Sequence, residues 1–423
     1  MSIIILHLSD IHAGIGELVD VDVKDYLPLS ERERNLERLG DYIAALPKKP
    51  DYVVVSGDMT LRGDPAGLLS VREWLITGIE GGLLPSEDRI IVTPGNHDPT
   101  WGIPDGNDRD QKRYANFFEM FGSTFPHAYI PGWDPKLDET HPSLRSTKKQ
   151  IGGLETKVRF GKIEVTSNHP FLLDLRNDVL IFAFNSSLAC GVYTNPKYFE
   201  PLNTFLMELE RTNSTKRVTD LILVLRDSTL VDAGLVGKDQ LNYFRRLMGR
   251  MRKELSDRWD KLTKIAILHH HISHLWNQQL ELKQFEALVD AAQLKRYLIE
   301  NNFNFVLHGH KHTNNVSLDG SLIPVSDKKN RNPLCVVSGG TIGGMPRLSD
   351  SQTFKLIELV GDTGPRFEAV ITEIPLRDTG SPSDIIAQES RIYRVPFAAK
   401  LPECDSDPEL KEPTKRRPKR NRI

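Results

Sequence analysis

The chain has 423 residues, and its 55 Lys plus Arg stand against 57 Asp plus Glu, a formal net charge of −2. That balance excludes capture of nucleic acid by a global basic field, while 39% hydrophobic residues and 30 glycines lie within ordinary globular usage. Three scattered cysteines, Cys190, Cys335 and Cys404, exclude a disulfide framework or a cysteine-based zinc site. The apolar run Ile3–Leu6 near the start is too short for a signal segment or a membrane span, so a soluble, cytoplasmic protein is expected.

The elements follow in chain order. Ile3–Leu8 is apolar except for His7, the pattern of a strand buried on both faces. A helix is predicted over Ser30–Ala45, with Ser30 and Glu33 at capping-box spacing. Tyr52–Val55 is the next buried strand, followed by a helix after Pro65 and a strand at Arg89–Val92. This alternation predicts βαβ units and a largely parallel sheet. Tyr114–Phe121 reads as helical. Residues 122–150, rich in Pro, Gly, Ser and charge, read as an insertion, and a second insertion is placed near 195–237, with a strand at Leu221–Leu225 as an option. Strands are predicted at Val179–Phe184, Lys264–Leu268, Asn304–Leu307 and Pro333–Ser338, and a hairpin at Phe354–Val360 and Arg366–Thr372. Helices are predicted at Lys238–Leu255 and Leu280–Glu300. The last residues, Lys411–Ile423, carry seven Lys or Arg and two prolines, a composition expected to be disordered.

Polar clusters stand where these buried strands end: Asp10-Ile11-His12, Gly57-Asp58, Gly95-Asn96-His97-Asp98, His269-His270-His271 and His308-Gly309-His310-Lys311-His312. In open α/β sheets ligands bind outside the carboxyl ends of the strands, so distant stretches can converge on one site. Imidazole with carboxylate suits Mn, Fe or Zn, whereas an oxygen-only set would favour Mg or Ca. In an extended segment, Asp10 and His12 would share a side, as would His310 and His312. Asp58 could bridge two metals about 3.5–4 Å apart. Each cluster taken alone is an ordinary turn or a chance grouping of histidines; all of them after apolar strands, in this order, are not.

These blocks resemble the calcineurin-like metallophosphoesterases, whose pattern runs D-x-H, G-D-x-x-x-x-G, G-N-H-[DE], a strand-end His and G-H-x-H. The chain shows Asp10-Ile11-His12, Gly57-Asp58 with Gly63, Gly95-Asn96-His97-Asp98, His269 and Gly309-His310-Lys311-His312. The resemblance implies an α/β fold of the metallophosphoesterase type, a β-sandwich flanked by helices in four layers (α/β/β/α) with loop insertions. It implies a catalytic domain over 1–375 and an extension over 376–423. Two divalent metal ions are implied, Mn first and Fe or Zn as alternatives. One would be held by Asp10, His12, Asp58 and His312, the other by Asp58, Asn96, His269 and His310. His97 would contact the phosphate or protonate the leaving oxygen, with Asp98 orienting its ring. His269 is preferred to His270 because it directly ends its strand; His270, His271 and His274 are left to substrate contact or solvent. His308 is expected to hydrogen-bond behind the ligands and His7 to be a core histidine.

The implied reaction is hydrolysis of a phosphodiester or phosphomonoester by a hydroxide that bridges the metals. Ser56-Gly57-Asp58-Met59-Thr60, the His-His doublet and Tyr114-Ala115-Asn116-Phe117-Phe118 are similar to the cyclic-nucleotide phosphodiesterase branch, so a nucleotide-type substrate is expected. The alternatives are a DNA nuclease of the Mre11 kind and a catalytically silent scaffold of the same fold. A protein phosphatase fits less well, because Arg62 lacks a preceding Asp and Asp98 stands where that branch has Glu. Trp101 and Trp133 are expected to pack, with base stacking as the alternative. For the basic tail, contact with nucleic acid or anionic lipid is the functional reading.

Overall fold

A computed structural model describes residues 2–14, 26–103, 109–122, 124–128, 158–160, 163–165, 170–193, 204–205, 208, 230–231, 233–273, 287–319, 333–346, 351–361, 368–378 and 380–396. Most of the two expected insertions, the optional strand 221–225, Trp133, His274 and the basic tail lie outside these residues.

Two mixed sheets form the centre of the molecule. The first contains β1 (Ile3–Leu8), β2 (Tyr52–Val55), β3 (Ile90–Val92) and β4 (His127–Ala128). The second contains β5 (Phe171–Asp174), β6 (Val179–Ala183), β7 (Thr263–Ile267), β8 (Phe305–His308), β9 (Asn314–Asp319) and β10 (Leu334–Gly339). Three later strands, β11 (Thr353–Val360), β12 (Glu368–Pro375) and β13 (Arg391–Pro396), complete the first sheet. Its order is β13-β12-β11-β1-β2-β3-β4, and that of the second is β9-β10-β8-β7-β6-β5.

Each sheet has a parallel centre with antiparallel strands beside it. β1 to β4 run parallel, and β11 pairs antiparallel with β1 through Ile5 opposite Ile357. In the second sheet β6, β7, β8 and β10 are parallel, with β5 and β9 antiparallel at the edges. The largely parallel sheet expected from sequence is therefore two parallel cores bordered by hairpins. β13 carries the first sheet past residue 375, where the sequence reading ends the catalytic domain.

The apolar residues sort into three cores, which define four layers. Ile5, Tyr52, Val54 and Ile91 meet Ile181, Ile265, Ile267, Leu307 and Val337 between the sheets. On the outer face of the first sheet, α1 (Leu29–Ala45) and α2 (Pro65–Glu80) bring Leu36, Leu39, Ile43, Leu68, Val71 and Leu75 against Leu6, Leu8, Val53 and Val55, and α5 (Pro382–Gln388) adds Ile385. On the outer face of the second, α3 (Lys238–Leu255) and α4 (Ala291–Glu300) pack Leu241, Phe244, Met248, Leu294 and Leu298 against Phe182, Ala266 and Val306. The fold is the expected α/β/β/α arrangement.

Two helix starts differ from expectation. Ser30 is not a cap: the helix begins at Leu29 after Pro28, with no side-chain cap bond, because Ser30 already lies inside the first turn. α4 begins at Ala291: of the span expected before it, 287–290 are not helical and 280–286 lie outside the described residues. The backbone before it is committed elsewhere, Leu288 N donating to His271 O and Val289 N to Gly234 O.

Candidate metal centre

The chain leaves β1, β2 and β3 in the first sheet and β7 and β8 in the second at one place. Asp10 N donates to Gly57 O (3.1 Å), His12 N to Asp58 O (2.9 Å) and Gly309 N to His269 O (3.0 Å). The loop after β10 closes over Asp10, whose carbonyl accepts Ile342 N, Gly343 N and Thr341 Oγ1. Glycine is required twice by close approach. A Cβ on Gly95 would collide with the backbone and carboxylate of Asp58, and one on Gly309 with Ser9 and the Asp10 carboxylate.

The local backbone differs from the extended segments expected for D-x-H and H-x-H. Asp10 (φ 53°), His12 (φ 50°), Asp58 (φ 53°), His310 (φ 80°) and His312 (φ 50°) are all left-handed, a region that side chains other than glycine enter at a cost and that clusters at functional sites. The chain thus aims these side chains by tight turns and not by strand alternation. The Arg32 guanidinium, reaching over from α1, donates to the His12 carbonyl and holds that turn.

Two groups of ligand-type atoms result, Asp10 with His12 and His312, and Asp10 with Asp58 and His269, the atoms of each lying within 4.8 Å of one another. Asp10, His12, Asp58, Asn96, His269 and His312 are all buried. His12 Nε2 faces His312 Nε2 at 3.0 Å, and His312 Nε2 lies 3.5 Å from Asp10 Oδ1. Asp58 Oδ2 is 3.1 Å from His269 Nε2 and 3.9 Å from His12 Nε2, so it stands between imidazoles expected on different metals. Asn96 Oδ1 meets His269 Nε2 at 2.8 Å and His310 Nδ1 at 3.2 Å. Asp10 shares both groups in this geometry, alongside the Asp58 bridge expected from sequence.

The other candidates separate. His270 turns its Nδ1 to Ser186 Oγ (2.9 Å) and its Nε2 toward Cys190 Sγ (3.6 Å), so His269, not His270, reaches Asp58. His308 bonds to Gly309 O and His7 to Ser56 Oγ, both fully buried. His97 N donates to Asp58 Oδ1 (2.8 Å), and its ring stacks on Trp101 at 5.8 Å. Trp101 donates to Asn96 O.

Asp98 requires a correction. Its carboxylate accepts Met59 N (2.8 Å), Thr60 N (3.0 Å) and Gly95 N (2.7 Å), so it clamps the loops after β2 and β3 together. The His97 ring is held instead by Tyr26, whose hydroxyl is hydrogen-bonded to Nε2 at 2.9 Å. Sequence reasoning missed Tyr26 because it belongs to no motif and follows no apolar strand.

The electrostatics fit a cation. Burial pushes Asp10 up to about 7, and burial followed by the Asp58 charge does the same to Asp98. Burial also works against the Asp58 charge, but His269, His97 and His12 outweigh it and hold that carboxyl well below the usual range. His269 is raised to about 9, burial being overcome by Asp58 and then Asp10. Burial keeps His12 and His310 neutral, the state in which imidazole ligates metal. Buried carboxylates beside the neutral imidazoles of His12 and His310 are a donor set that suits a divalent ion, and Asp58 also faces the raised imidazole of His269 at 3.1 Å.

The same burial predicts acid sensitivity. His7, His12, His127, His270, His308 and His310 all lie below 6.5 in the fold, His127 and His308 at about 4, with burial the largest cause each time. As pH falls through 6.5 the unfolded chain takes up protons that the folded chain refuses, so stability is lost between about pH 6.5 and 4. The raised Asp10 and Asp98 act oppositely but are two groups against six. Urea midpoints of the metal-free protein should therefore fall steadily from pH 7 to pH 5; a flat profile would contradict this.

Residues 3–208, just under half of the chain, match the family model described as calcineurin-like phosphoesterase. His269, His310 and His312 lie beyond that match and are brought to it by the fold. No curated protein matches the chain in sequence. Similar solved structures include a purple acid phosphatase from yellow lupin, at 10% identity and a TM-score of 0.44, covering 89% of this chain and 52% of that one. A structure of PhoD is 9% identical, with a TM-score of 0.41 and coverage of 93% and 68%. GAP50, the anchor in the inner membrane complex of Plasmodium, is 9% identical, with a TM-score of 0.35 and coverage of 95% and 90%. The chain thus spans about half the length of the lupin phosphatase. Among the described residues, no helix is long and apolar enough to cross a membrane.

Proposed function

We propose that the protein is a metal-dependent phosphoester hydrolase acting on a phosphodiester or phosphomonoester of nucleotide type. The observation that carries this reading is the convergence of Asp10, His12, Asp58, His269 and His312, all buried, on two adjoining sets of ligand-type atoms. Asp10, His12, Asp58 and His312 would hold one divalent ion, and Asp58, Asn96, His269 and His310 the other, with Mn the first candidate. When bound, such a pair supplies an activated water and neutralises charge building up on the phosphoryl group. His97 is tied to Asp58 through its backbone and presents its ring beside the ligands. Its Nε2, hydrogen-bonded to the Tyr26 hydroxyl, is the nitrogen we assign to the leaving oxygen; among the described residues Nδ1 is buried without a hydrogen-bond partner. Asp98 keeps the Asp58 and Asn96 loops in register. The nucleotide preference rests on the Ser56–Thr60 sequence, the His269-His270 doublet and the Tyr114–Phe118 segment, and a cytoplasmic location on the sparse, scattered cysteines.

Purified protein with added Mn is expected to cleave bis-p-nitrophenyl phosphate or a member of a panel of cyclic nucleotides, nucleotides and DNA, and chelation should abolish that turnover. Cleavage of DNA alone would favour the nuclease alternative. Two bound metals without turnover of any substrate would favour the silent scaffold.

A further inference from the structure

We infer that Tyr26 is the positioning residue for His97, an inference that rests on the hydrolase reading above. The Tyr26 hydroxyl lies 2.9 Å from His97 Nε2, while among the described residues Nδ1 has no hydrogen-bond partner. A ring held by only one of its nitrogens takes its aim from that bond. The other contacts of the His97 ring are faces and edges: Trp101 stacked at 5.8 Å and 14°, His12 edge-on at 5.5 Å. These confine the ring to a slot without deciding which nitrogen points inward. The Tyr26 bond decides it.

Tyr26 is itself built into the site. Its backbone forms an antiparallel bridge with Gly344, and Leu27 N donates to Gly343 O, in the same loop whose amides close over Asp10. The Tyr26 ring packs edge-on against His12 at 4.7 Å and lies 6.3 Å from His312. The hydroxyl is thus held one hydrogen bond from Nε2 by a ring packed beside His12 and His312. Tyr26 therefore fixes the orientation of the His97 ring beside the ligand groups.

The test uses the full chain and Tyr26→Phe, which keeps the ring against His12 and removes only the hydroxyl. Metal content should be unchanged. Turnover of an ester with an alkoxide leaving group should drop, by up to about 10²-fold as for a misplaced catalytic group, with less effect on p-nitrophenyl esters. Tyr26→Phe in a His97→Ala background should cost nothing further; a full additional loss there would overturn the inference, since sites acting through one another are not additive. A second readout needs neither metal nor activity. With selective ¹⁵N-histidine labelling and a chelator present, the His97 ring signals, identified by their absence in His97→Ala, should shift in Tyr26→Phe. An unchanged His97 spectrum would overturn the inference. Absence of turnover in the native protein would instead defeat the hydrolase reading and leave the spectrum to decide the Tyr26 bond.

Discussion

Replacing Asp58 by Asn is expected to empty the centre of metal while leaving the polypeptide folded. The carboxylate is buried, and its Oδ2 lies within 3.1 Å of His269 Nε2 and 3.9 Å of His12 Nε2. With Asp10, it is a carboxylate placed between imidazoles assigned to the two proposed metal positions. Changes to groups that merely orient metal ligands typically cost about 10–100-fold in affinity, so loss of the shared anionic ligand should exceed about 100-fold. Asparagine keeps an oxygen where Asp58 Oδ1 now accepts His97 N, and it fits the same volume, so circular dichroism of the metal-free variant should match that of the native chain. Metal analysis after dialysis, with rates measured in parallel, checks this. Two ions retained at native affinity would remove Asp58 from the bridging position.

His97→Ala should behave in the opposite way, keeping both metals and losing rate. General acid assistance typically contributes about 10²–10⁴-fold, and the loss should approach that range for alkoxide leaving groups. It should shrink for p-nitrophenolate, which departs with little protonation. Loss of metal from His97→Ala would make it a ligand and redraw the division of the site. Equal slowing of both substrate types would assign His97 to phosphate contact and not to proton delivery.

The parts of the fold legible in the sequence are those where burial writes a continuous apolar run. β1, β2 and β3 read directly because Ile3–Leu8, Tyr52–Val55 and Ile90–Val92 lie in the interior of a two-sheet sandwich. The same strands end in the ligand blocks, so the candidate centre was legible with them. Edge strands were not. β9, Asn314–Asp319, is polar and largely half-buried, and β13 carries Arg391 and Arg394, whose side chains are mostly exposed and paired with Glu373 and Glu368. Such strands are held by ladder bonds to a neighbour rather than by apolar periodicity. The Asp98 clamp was hidden for a related reason: two of its three partners are backbone amides of residues nearly forty positions away, which no side-chain pattern announces. Tyr26 was hidden because its role comes entirely from tertiary placement.

The left-handed turns at Asp10, His12, Asp58, His310 and His312 bear on how this sequence would drift. Each such conformation in a residue other than glycine costs on the order of 1–3 kcal/mol, and glycine adopts it freely. Selection for heat resistance alone would draw glycine into these positions, and on the proposed function it is the metal centre that holds aspartate and histidine there. A descendant freed from catalysis should therefore lose its ligands early and emerge hardier than its parent.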